Sequence, residues 1–144
     1  MHPISQLLAA IVVALVVPVA ATAMPHASRP AQLNQSLDRT SDKGLFRIKV
    51  ASSASPIPMN AIHRWTVQIA DARGRPVSGA SLTVDGGMPE HGHGLPTAPR
   101  AIAAGEPGHY VIQGMKFSMD GWWELKLAIN AAGASDKVTF NIVL

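Results

Sequence analysis

The feature that most constrains this chain is alternation. Phe46, Ile48 and Val50 are interleaved with Arg47 and Lys49; Trp65, Val67 and Ile69 with Thr66 and Gln68; Ala80, Leu82 and Val84 with Ser81 and Thr83. The pattern returns in Trp123, Leu125, Leu127 and Ile129, and again in Val138, Phe140, Ile142 and Leu144. Successive side chains of a strand point to opposite faces, so each run buries one face and wets the other. Turn-forming segments, Asp71–Pro76 and Asn130–Gly133, separate the runs, and a shorter strand is expected over Tyr110–Gln113. After Ala23 no stretch keeps helical spacing for three turns. Half-apolar sheets without helices to cover them must bury their faces against each other. The expected fold is therefore all-β, an immunoglobulin-like antiparallel β-sandwich of about seven strands over residues 44–144. A small closed barrel is the alternative. In this register Trp123 is buried, and Trp122 points outward as a possible interaction surface.

The start of the chain obeys different rules. Leu7–Val17 is an unbroken apolar run, followed by Pro18 and the small residues Ala21-Thr22-Ala23. The run is too short to span a bilayer, which takes about 20 apolar residues. With its Ala-x-Ala end it reads as a signal peptide over residues 1–23. The expected location is periplasmic or extracellular, and a retained anchor over Ile4–Ala23 is the alternative. Residues 24–43 contain Pro25 and Pro30 and keep no period, which suggests a flexible lead-in. With 144 residues there is room for one domain.

Composition narrows the chemistry. The 12 Lys+Arg and 9 Asp+Glu leave a net charge of +3, and the cations are scattered along the chain. A nucleic-acid partner would require clustered cations and is not expected. There is no cysteine, which excludes disulfides, thiolate nucleophiles and cysteine-based zinc sites.

One segment does not fit the strand grammar. From Asp85 to Pro99 the alternation gives way to a Gly- and Pro-rich loop holding Met88, Glu90, His91, Gly92, His93 and Gly94. In extended backbone, His91 and His93 present both imidazoles on one side. Met88 lies three residues upstream, and Met115 and Met119 share a face farther along if that segment is extended. Imidazole suits copper, zinc, nickel and iron, whereas thioether favours Cu(I), and the loop lacks the several oxygens that calcium or magnesium requires. Copper is the expected ion, held by His91 and His93 with help from Met88, Met115 or Met119. Plainer roles stand beside this one. The glycines and prolines can simply shape the loop, methionines commonly fill cores, and Trp122 can cover a sheet edge. His63 is expected to be structural and His109 to lie on the surface of a strand. Met24 and His26 would open the mature chain, where an amino terminus and an imidazole can chelate copper, remote from the other candidates.

Taken together, Met88-Pro89-Glu90-His91-Gly92-His93-Gly94 and Met115-Lys116-Phe117-Ser118-Met119-Asp120-Gly121-Trp122-Trp123-Glu124 resemble the YtkA-like/FixH-like group of small exported or membrane-anchored Ig-like β domains. The resemblance runs from about Gly44 to Leu144. It implies a periplasmic or cell-surface domain, FixH-type relatives being associated with assembly of haem-copper oxidases. The chain departs from the FixH pattern in that its hydrophobic segment resembles a cleavable signal.

The functional expectation is a copper-handling protein. Its alternative is a metal-free module docking a membrane or periplasmic partner protein through Trp122 and the Pro-rich loop. No Gly-x-Ser-x-Gly elbow or phosphate-cradling loop is present, and the three glutamates are widely spaced, so no catalytic residue is expected.

Overall fold

The computed structural model describes residues 26–144, and the expected signal peptide lies outside them. Nine strands form two antiparallel sheets, and no helix occurs among the described residues. They are β1 (Asp38–Thr40), β2 (Phe46–Ser52), β3 (His63–Asp71), β4 (Ser81–Met88), β5 (His93–Gly94), β6 (Arg100–Ala103), β7 (His109–Met115), β8 (Trp122–Ala131) and β9 (Ala134–Val143). The first sheet is ordered β1-β2-β3-β7-β6 and the second β5-β4-β8-β9. Disregarding β1 and β5, this is the ABED and CFG arrangement of an immunoglobulin-like sandwich.

The alternating residues meet in the middle. Ile48, Val50, Trp65 and Val67 from the first sheet face Trp123, Leu125, Leu127, Ile129 and Phe140 from the second, all at 2% exposure or less. Fully burying one such aliphatic or aromatic side chain stabilises the fold by about 1.5–3 kcal/mol, so these inner faces dominate folding. Register is fixed by the same logic: slipping β8 by one residue against β4 or β9 would turn its whole apolar set into water.

The sandwich begins earlier than Gly44. β1 pairs with β2 from Asp38, and this segment reaches the second sheet: the Arg39 guanidinium donates to the Thr139 carbonyl and the Asp42 amide to that of Lys137. Leu37 packs against the core. Alternation does not mark this segment, because β1 has only three residues and is an edge strand.

The bend between β1 and β2 is held by a buried carboxylate. Asp136 accepts hydrogen bonds from the amides of Lys43, Leu45 and Lys137. Burial alone would raise its pKa. Bonds from the Ser41 hydroxyl and from the Lys137, Lys43 and Leu45 amides outweigh burial and hold it below the ordinary 3.8. Elsewhere the Tyr110 hydroxyl donates to the Val77 carbonyl at 2.7 Å and accepts from the Ala80 amide at 2.9 Å, clamping the β3–β4 connection onto β7.

A histidine pair at one end of the sandwich

Of the expected loop, Asp85–Gly94 is in fact a tight hairpin, and residues 95–99 remain a loop. β4 continues through Gly86 and Gly87 to Met88, and the chain returns at once as β5, with Met88 opposite His93 and Gly87 opposite Gly94. The glycines hide the strand because they have no side chain to alternate. They are required by space: a Cβ on Gly87 would lie 2.2 Å from the His93 carbonyl oxygen, far inside contact distance. Between the strands the amides of His91 and Gly92 both donate to the Met88 carbonyl, at 3.1 and 2.9 Å. Gly92 takes a φ of +67°, which glycine adopts without strain.

This hairpin brings His91 and His93 together at the surface. Their ring centroids are 5.9 Å apart. With metal–nitrogen bonds of about 2 Å, two imidazoles on one ion place their centroids about 4.5–6.5 Å apart, depending on the angle at the metal. The pair is already within that span. His93 is also oriented. Its Nδ1 lies 3.0 Å from the Gly94 carbonyl, which can only accept, so Nδ1 donates and the neutral ring offers its lone pair at Nε2. Its ring rests edge-on against Trp123, at 5.7 Å between centroids.

Trp123 connects this pair to the second motif. Its indole N–H donates to the Met119 carbonyl at 3.0 Å, and Met119 is 41% exposed. The methyl of Met88 lies against Gly121, 2.7 Å from where a Cβ there would stand, and the side chain belongs to the core at 1% exposure. Met115 does not share a face with Met119. It closes β7 opposite His63, fully buried, while Met119 lies outside on the turn before β8. Phe117 and Trp123 form the line of rings from His63 to His93, with centroid steps of 5.6, 5.2 and 5.7 Å. Of the candidate ligands, the structure pairs His91 with His93, links His93 through Trp123 to the turn that carries Met119, and buries Met88 against Gly121 and Met115 at the end of β7.

His63 has a structural role. Nδ1 faces the Ala61 carbonyl at 3.1 Å and Nε2 accepts from the Trp65 indole at 3.0 Å, so neither nitrogen is left for a metal. His109 sits at the far end, where a surface hollow is lined by Lys49, Ile69, Pro76 and His109 beside the Arg47–Asp38 ion pair.

The expected outward exposure of Trp122 is not found. It occupies the outer face of β8, as alternation requires, yet is only 5% exposed. Its indole N–H donates to the Asn141 side chain, whose amide in turn donates to the Asn34 carbonyl. The lead-in thus lies against that end of the second sheet, anchored by half-buried Leu33 and Leu37, and covers a face that strand patterning leaves open.

Among the described residues, no three His, Asp or Glu side chains are gathered closely enough to hold an ion. What is preformed is a two-imidazole pair, open to solvent.

A family model described as YtkA-like matches residues 39–128. No curated protein matches the chain. Among solved structures the chain is similar to a ZirS C-terminal domain at 12% identity, over 90% of this chain and 88% of that one, with a TM-score of 0.42.

Proposed function

The chain belongs to the YtkA-like family of small β domains, and on that footing we propose that it is an exported copper-handling domain, a binding protein without catalytic residues. The observation that carries this reading is the His91–His93 pair. Two exposed rings stand 5.9 Å apart, and His93 is held through Nδ1 by the Gly94 carbonyl with Nε2 free. Ligating histidines characteristically donate their second ring nitrogen to a carbonyl or carboxylate, which fixes the tautomer. The chain has no cysteine, and a thioether from Met119 would favour copper over zinc. Met88 and Met115 are buried, so Met119, which is exposed, is the candidate methionine open to an ion arriving from outside.

An open pair suits transfer better than storage, because ligands that are few and accessible release an ion to a partner readily. The metal-free docking alternative loses its anchor, since Trp122 is covered.

Calorimetry on the chain recovered after export tests the reading, with Cu(I) under anaerobic reducing conditions and Cu(II) in air. We expect one ion per chain and loss of tight binding in the His91→Ala, His93→Ala double variant, with the fold retained because both side chains are exposed. Equal binding by the two proteins would contradict it. Imidazole must shed its proton to ligate, so affinity should also fall as the solution is made acid.

A further inference from the structure

The described part of the arm ahead of β1 reaches the same hairpin. The Ala27 amide donates to the Pro89 carbonyl at 3.1 Å, which docks the arm's backbone on the β4–β5 turn. One residue earlier, the His26 ring lies over Gly92: a Cβ built on Gly92 would stand 3.2 Å from both Cε1 and Nδ1 of His26. Gly92 is the residue that joins His91 to His93. An imidazole distant in sequence is therefore laid against the residue between the two histidines. The arm is tied down again at Asn34, by Asn141.

Resting on the copper-handling reading above, we propose that His26 is the third imidazole of this site and that the arm is a strap closing over the bound ion. The three rings are not gathered at coordinating distance before an ion arrives. The arm's backbone is docked at Ala27 and the His26 side chain is exposed, so it is the ring that would move on closure. Three neutral nitrogens form a set that Cu(II) accepts well. The sequence before His26 favours this use of the ring. In a chain beginning at Met24, a chelate through consecutive N-terminal amides would have to pass through Pro25, which has no N–H to give up. His26 is thereby left to bind through its ring alone, at the loop.

The test is a Cu(II) titration of the exported chain, its His26→Ala variant and the His91→Ala, His93→Ala double variant. Affinity is read by competition, and the number of bound nitrogens by electron paramagnetic resonance. His26→Ala should weaken binding on the order of tenfold to a hundredfold and reduce the nitrogen pattern from three imidazoles to two, while the double variant loses the site. If His26→Ala matches the wild type in affinity and spectrum while the double variant fails to bind, the strap is refuted and the loop site stands. Weaker binding with an unchanged spectrum makes His26 a positioning residue, which also overturns the proposal. If the double variant binds as the wild type does, the loop reading itself fails and the strap with it.

Discussion

Asp136 and Trp122 look alike in sequence, each at a position that alternation assigns to a definite face, and their surroundings decide what they do. Asp136 falls on the buried face of β9, an unfavourable place for a charge unless it is fully hydrogen-bonded. The amides of the β1–β2 bend supply those bonds, and they come from residues 91 and 93 positions away in the chain, which no local pattern reveals. Asp136→Asn should destabilise the domain by about 1–3 kcal/mol, because at least one of these amides would lose its acceptor. The pH dependence has a definite sign. The folded-state pKa lies below its ordinary value, so the stabilisation is complete above about pH 4 and fades as pH falls through the lower, folded value. Urea unfolding of both proteins at neutral pH and near pH 3 checks this; the gap between them should narrow in acid. Trp122 shows the converse. Its outward direction was legible from Leu125, Leu127 and Ile129, but its burial depends on Asn141 and Asn34, a contact across the molecule. His63 was legible as structural because it opens an alternating strand, and its two ring contacts bear that out.

At the scale of elements, strands with bulky alternation were readable and strands without it were not. β2, β3, β8 and β9 follow from their sequences because the core needs their apolar faces. β1, β5 and β6 have two to four residues each and lie at or near sheet edges, where pairing supplies their order and hydrophobicity leaves no mark. The end of β4 is the instructive case. Gly86 and Gly87 read as loop, yet they continue the strand, because a side chain there would collide with β8 or β5. The candidate site was legible as residue types, a His-x-His flanked by methionines; the hairpin that aims them was not. Gly87→Ala tests the dependence of site on strand. Its Cβ would press on the His93 carbonyl and push β5 away, so copper affinity should drop by about tenfold or more, as when a ligand's support is lost. The thermal midpoint should change far less, since β5 has two exposed residues and contributes little to the core. Calorimetry and thermal unfolding of the same sample separate the two effects.

The molecule as a whole places its two unlike tasks at opposite depths. The interior is a dry immunoglobulin-like sandwich whose inner residues are nearly all below 5% exposure, and it gives rigidity. The proposed copper site is at one end, where the β4–β5 hairpin, the turn before β8 and the N-terminal arm converge around Trp123 and Gly92. We propose that copper binds at this end, on His91 and His93. An amide NMR titration of the exported chain with Cu(I), which is diamagnetic and leaves neighbouring resonances visible, tests this. Shifts should saturate at one ion per chain and be confined to His91–Gly94, the Met119–Trp123 segment and the arm beside Gly92. The His91→Ala, His93→Ala double variant should show none of them. Shifts centred elsewhere on the sandwich, or the same shifts in both proteins, would contradict it.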